Sequence, residues 1–186
     1  MPGGVQRVRP RPRERVTTVS SGFSIHVAKE NLKFSAAHFI AYPGFREPLH
    51  GHNYQVGVRV EGALSPTGYV LDFGLIKRLT RNIVDRLDER TLVPAASDCL
   101  QIEHLAGKQL RICYGADEFR LPEADACLLP IAHSSAEELA RFIWSELFTA
   151  LKDQHSLAGI KSMEVSVAEG PGQAAIYRRE IEDGEI

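Results

Sequence analysis

Two histidines separated by one glycine, His50-Gly51-His52, stand directly upstream of a run in which Tyr54, Val56, Val58 and Val60 alternate with Gln55, Gly57, Arg59 and Glu61. Alternation of that kind is the pattern of a half-buried antiparallel strand. If the extended geometry begins at residue 50, both imidazoles share the parity of Tyr54 and Val56 and face the same way. Two polar rings beside a buried face each need a partner, and Gly51 removes side-chain bulk between them. A third imidazole, His38, closes the preceding extended segment, and a neighbouring strand could bring it across. Three neutral imidazoles with an open fourth position are how a catalytic zinc is held. Hard octahedral metals would want clustered carboxylate and carbonyl oxygens, which this segment lacks. The spacing alone leaves a second reading open, in which these histidines bond backbone groups in a core. His26, His104 and His155 have no comparable setting and read as structural or exposed.

The elements around these residues follow from the same patterns. Phe23–Ala28 and Leu32–His38 are apolar stretches parted by Lys29-Glu30-Asn31, which predicts a strand with a bulge or an early turn. Ser65-Pro66-Thr67-Gly68 reads as a turn, with Tyr69–Leu71 opening the next strand. Asp72 can cap a helix whose apolar stripe is Leu75, Ile76, Leu79, Ile83 and Leu87. Residues 102–121 suggest an irregular hairpin or meander. Ser134 or Ser135 can cap a second helix, with Glu137 or Glu138 closing the box and Leu139, Phe142, Ile143, Leu147 and Leu151 forming its stripe. The last strands are Met163–Ala168 and Ala174–Tyr177. This order predicts an α+β fold: a four-stranded antiparallel sheet, two helices on one face and an inserted hairpin. Such a sheet keeps open edges, which oligomerisation could cover.

Composition narrows the classes. A chain of 186 residues with 44% apolar content suits one domain with a real core. Its 22 Lys and Arg against 24 Asp and Glu leave a formal net charge of −2, which removes generic basicity as an argument for nucleic-acid binding. No run approaches the roughly 18 apolar residues of a membrane span, and the N-terminus lacks the apolar segment of a secretory signal. Three dispersed cysteines, Cys99, Cys113 and Cys127, suit a reduced, cytoplasmic setting. Residues 1–21 carry five arginines and few apolar groups and are expected to be a disordered basic arm ahead of a domain spanning 22–181.

The segments FSAAHFIAYPGFREPLHGHNYQVGVRVEG, GYVLDFGLIK, RLDE, SSAEELARFIW and VSVAEGPGQAAIYR, in that order, resemble the landmarks of the 6-pyruvoyl-tetrahydropterin synthase family, which includes the 6-carboxytetrahydropterin synthases. The resemblance covers residues 32–180. It implies the tunnelling fold, in which trimers close their sheets into a barrel and two trimers stack into a hexamer. It implies a zinc ion on His38, His50 and His52, with Ser135 near the pterin and Glu169 as the pterin anchor. It also implies active sites between subunits, with anchor and zinc drawn from different chains. The chemistry of Glu169 agrees, since one carboxylate can accept from the parallel N–H donors of a pterin edge.

Two positions depart from the family pattern. Arg46 stands where typical members place a proton-abstracting cysteine, four residues before His50, and Glu47 lies beside it. This resembles a variant branch in which a glutamate replaces the cysteine. Where the family has Asp-His after its first helix, this chain has Asp88-Glu89, and His133 is a local substitute for the missing imidazole. The variant branch implies a zinc-dependent lyase that cleaves the side chain of 7,8-dihydroneopterin triphosphate to 6-hydroxymethyl-7,8-dihydropterin, a folate precursor. Glu47 would then be the base, Asp88 an orienting or relay group and His133 a catalytic or substrate contact. Arg46 and Lys33 are local candidates for the triphosphate. The alternatives are 6-pyruvoyl- or 6-carboxytetrahydropterin synthase activity, or a degenerate pterin-binding protein.

Overall fold

Leu32, Phe34, Ala36 and His38 alternate inward along the end of one long strand, β1 (Phe23–His38), in the computed structural model, which describes residues 22–182 and 184. The expected basic arm at 1–21 lies outside the described residues. β1 is interrupted by a register shift between Ala28 and Lys33, so the apolar stretches either side of Lys29-Glu30-Asn31 are one bulged strand rather than two. After the short pair β2 (Ala41–Tyr42) and β3 (Phe45–Arg46), β4 (His50–Gly62) runs antiparallel to β1 and buries Tyr54, Val56, Val58 and Val60.

Tyr69–Leu71 does not form the expected strand. The Ser65 N–H bonds the Tyr69 carbonyl, closing a turn, and Val70 and Leu71 are buried as a lead into α1 (Phe73–Val84). Asp72 caps that helix by accepting from the Gly74 N–H at 2.5 Å. Ile76, Thr80, Ile83 and Val84 form its buried stripe, and Leu87 joins the core from the turn that follows.

β5 (Arg90–Pro94) then runs parallel to β1. The meander β6 (Gln101–Leu105), β7 (Gln109–Tyr114) and β8 (Asp117–Pro122) forms a separate three-stranded sheet over a small core of Phe39, Leu100, Leu110 and Ile112. β9 (Ala126–Leu129) pairs in parallel with β5. Ser135 caps α2 (Ala136–Asp153), accepting from the Glu138 N–H, and Leu139, Ile143, Leu147 and Leu151 are fully buried along it. The chain closes with β10 (Ile160–Gly170) and β11 (Gln173–Glu180).

The large sheet has the order β11-β10-β4-β1-β5-β9. Its first four strands are the expected antiparallel sheet, and two short parallel strands extend it, making the whole sheet mixed. α1 packs on β1, α2 on β10 and β11, and the helices touch each other. The indole N–H of Trp144 donates to the Met163 carbonyl at 2.8 Å, fastening α2 to β10.

Candidate functional site

His38 ends β1 and His50 opens β4, and the register makes them direct cross-strand partners, with His52 opposite Ala36. Residues two apart on each strand share a face, so the three rings converge. Their centroids are 4.6 Å apart for His38 and His50, 5.1 Å for His38 and His52, and 4.9 Å for His50 and His52. One potential ligand atom from each ring lies within 4.8 Å of the others, so the cluster could hold a metal ion. Beneath it, Tyr54 stacks on Phe34 at 4.6 Å and meets His38 and His52 edge-on, giving the cluster an aromatic floor.

Hydrogen bonds set the direction of the ring nitrogens. The Nδ1–H of His38 donates to the Ser134 carbonyl at 2.7 Å, leaving Nε2 with its lone pair. That Nε2 is buried without a hydrogen-bond partner, although the residue is only 2% exposed. An orphaned acceptor facing two other imidazoles is what a metal ion would satisfy. His50 repeats the arrangement, Nδ1 donating to the Pro48 carbonyl at 2.9 Å. Burial, reinforced by His50 and His52, holds the pKa of His38 below the ordinary histidine value against the opposing pull of the Ser134 carbonyl and Glu169. The ring is therefore kept neutral, as a ligand must be. Burial, then the charges of Glu169 and Glu47, push the Tyr54 phenol well above its ordinary pKa.

Glu47 lies at the closure of the β2–β3 loop. Its N–H bonds the Ile40 carbonyl at 2.9 Å, and its carboxylate accepts from the Ile40 N–H at 3.1 Å. Glu169 lies near the end of β10, one residue beyond the Ala168–Gln55 pair. It lines a cleft of about 620 Å³ with His52, Asn53 and Gln55, and another of about 370 Å³ with Ile40, Ser135 and Gln173. One chain thus carries both the three histidines and Glu169. Within the chain β10 pairs directly with β4, which brings Glu169 to the same cleft as His52.

The other predicted residues fall in different places. His133 reaches the loop, Nδ1 donating to the Ala41 carbonyl at 3.2 Å. The carboxylate of Asp88 accepts from the Ser35 N–H on β1 at 2.7 Å, while Glu89 is exposed with a φ of 56°. Arg46 is engaged by Asp117 at 2.8 Å rather than presented to a phosphate, and Lys33 is exposed on β1. Ser134 was visible in sequence only as an alternative helix cap. Its hydroxyl in fact donates to the Phe39 carbonyl at 2.8 Å while its carbonyl takes His38. The signal was the Ser-Ser pair: one serine caps the helix and the other is left to brace the site.

The family model described as 6-pyruvoyl tetrahydropterin synthase matches residues 26–180. The chain belongs to the 6-pyruvoyl tetrahydropterin synthase family. A curated relative from Methanocaldococcus jannaschii, a putative 6-carboxy-5,6,7,8-tetrahydropterin synthase, is 35% identical over 152 residues, covering 81% of this chain and 92% of that protein. The crystal structure of 6-pyruvoyl tetrahydropterin synthase from Plasmodium vivax superimposes with a TM-score of 0.82 at 36% identity, covering 87% of this chain and 99% of that one. A variant of the same parasite's enzyme, with a glutamate described as a catalytic residue replaced by alanine, gives a TM-score of 0.82 at 35% identity and the same coverage. The fold is the family's tunnelling fold, and the chain is a lyase of the 6-pyruvoyl tetrahydropterin synthase type.

These relatives correct one expectation. Cleavage of the substrate side chain to 6-hydroxymethyl-7,8-dihydropterin is not what the family match points to, since the family model, the relative matched over 81% of this chain and the solved structure matched over 87% of it are described as 6-pyruvoyl or putative 6-carboxytetrahydropterin synthases. Among the described residues, no helix is long and apolar enough to cross a membrane.

Proposed function

We propose that the chain is a 6-pyruvoyl- or 6-carboxytetrahydropterin synthase, acting on 7,8-dihydroneopterin triphosphate by removing the C1′ proton and eliminating triphosphate. The observation that carries this reading is the convergence of His38, His50 and His52 above Tyr54, with the charges of Glu47 and Glu169 both reaching that tyrosine.

His38, His50 and His52 would hold zinc, which when bound supplies Lewis-acid polarisation of the side-chain oxygens. Glu169 accepts from the parallel N–H donors of the pterin edge and fixes the ring, with the Ser135 hydroxyl lining the same cleft. Glu47 is the base. As the C1′–H bond breaks, the proton passes to its carboxylate and the electron pair into the conjugated ring imine. The ring nitrogen takes up a proton and the C1′ hydroxyl becomes a ketone. Loss of the C2′ proton beside that ketone to solvent then breaks the C3′–O bond, and triphosphate leaves with the electrons of that bond. The resulting C2′ enol becomes the second ketone of the pyruvoyl group. The catalytic glutamate described for the Plasmodium vivax enzyme supports this assignment and placement in the glutamate-for-cysteine branch. His133, bonded through Nδ1, keeps Nε2 for relaying the proton. Asp88 orients β1 through Ser35, three residues before His38.

The open sheet edges at β11 and β9 support a trimer that would close them into a barrel, two of which would make a hexamer. The free thiols of Cys99, Cys113 and Cys127 are in keeping with a reducing cytoplasm. Substrate deuterated at C1′ tests the assignment. Release of that deuterium to solvent during turnover, lost in Glu47→Gln, is the expected result. A product that retains deuterium on C1′ would overturn the proposal.

A further inference from the structure

We infer that Arg46, Asp117 and Tyr114 form a latch by which the inserted three-stranded sheet holds the Glu47 loop in its working position. The inference rests on the reading of Glu47 as the base.

The loop has little means of holding itself. It turns through Pro43-Gly44, where φ at Gly44 is 87°, between strands of two residues each, and a hairpin that short is marginal alone. Its rings, Tyr42 and Phe45, stack at 4.9 Å but are 47% and 42% exposed, so they contribute little core. The two Ile40–Glu47 bonds close its base and occupy one carboxylate oxygen of Glu47, leaving Oε1 for the substrate proton.

What anchors the loop's far end is the β7–β8 hairpin. The Nε and Nη2 of Arg46 both reach Asp117 Oδ2 at 2.8 Å, while Nη1 donates to the backbone carbonyl of Glu47 at 2.8 Å. The guanidinium lies 5.2 Å from the Phe119 ring centroid, and Phe119 stacks on Phe39 at 5.0 Å. On the opposite strand of the loop, the Tyr114 hydroxyl donates to the Tyr42 carbonyl at 2.9 Å. Tyr114 and Asp117 are paired at the tip of the β7–β8 turn, so one turn grips both loop strands. Arg46 occupies the position of the missing thiol and, through the Glu47 carbonyl, fixes the backbone of the carboxylate that replaces it. Displacing a reacting group by about 1 Å can cost on the order of 10²-fold in rate, so the geometry makes these positioning residues.

The test compares steady-state turnover of 7,8-dihydroneopterin triphosphate by zinc-loaded wild type, Asp117→Asn, Asp117→Glu, Tyr114→Phe and Glu47→Gln, and by Asp117→Asn in the Glu47→Gln background. Asp117→Asn and Tyr114→Phe are expected to lower kcat by about 10-fold to 10²-fold with KM within about twofold, and with metal content and melting temperature unchanged. Asp117→Glu should recover most of the loss, and Asp117→Asn should have no further effect once Glu47 is Gln. If Asp117→Asn and Tyr114→Phe leave kcat near normal while Glu47→Gln abolishes it, the latch falls and the base stands. If Asp117→Asn lowers kcat equally in both backgrounds, it acts elsewhere and the latch falls. Near-normal turnover by Glu47→Gln would instead overturn the base assignment itself.

Discussion

The Nδ1–H of His38 donates to the backbone carbonyl of Ser134 at 2.7 Å, a bond between residues 96 apart in sequence. It ties the end of β1 to the approach to α2 and fixes which nitrogen of a buried ring faces the cluster. The Ser134 hydroxyl repeats the tie one residue on, through the Phe39 carbonyl.

Ser134→Ala should therefore act in two ways. It leaves the Phe39 carbonyl without its buried donor, costing about 1–3 kcal/mol of stability. It also loosens the orientation of His38, weakening zinc affinity by about 10-fold to 10²-fold. Chemical denaturation and a competitive metal titration check the two effects separately.

His50→Ala tests the ligand set with less risk to the fold, because His50 is exposed in the chain whereas His38 is buried. Elemental analysis should find about one zinc per wild-type subunit and a loss of stoichiometric metal in the variant, with unfolding of the two metal-free proteins nearly the same. Chelation of wild type should abolish turnover, and added zinc should restore it.

Glu47→Gln and Glu169→Ala should fail differently. Loss of the base should lower kcat by roughly 10²–10⁴-fold with pterin binding nearly intact. Loss of the clamp should weaken pterin binding as well as rate. Equilibrium binding of a non-reacting pterin, measured beside steady-state kinetics, separates the two patterns.

The depressed pKa of His38 gives the metal-free protein a pH dependence of defined sign. Below the ordinary histidine value of about 6.5 the unfolded chain takes up a proton that the folded ring resists. The stability associated with this residue is thus fully present above that value and is lost as pH falls towards the lowered folded value. Denaturation of metal-free wild type from pH 7.5 down to 5.5 should show this loss, with a shallower slope in His38→Gln. An unchanged slope would contradict it.

The strand β4, both helix stripes and the three histidines were legible because each rests on local periodicity: Tyr54 to Val60 alternate, and Leu139, Ile143, Leu147 and Leu151 recur at helical spacing. The parallel edge strands were not. Thr91 to Pro94 are buried on both faces and carry no alternation to read. Val70 and Leu71 looked like a strand because buried apolar pairs precede helices as readily as they fill sheets. The contacts of Asp88 with Ser35 and of Arg46 with Asp117 join residues 53 and 71 positions apart, where no spacing rule reaches.

The fate of the triphosphate tests the central claim most directly. Zinc-loaded protein given 7,8-dihydroneopterin triphosphate should release inorganic triphosphate, resolved by phosphorus NMR, in step with formation of a tetrahydropterin bearing a 6-pyruvoyl or 6-carboxy group. Triphosphate that stays esterified to a cleaved carbon fragment, alongside 6-hydroxymethyl-7,8-dihydropterin, would contradict the account.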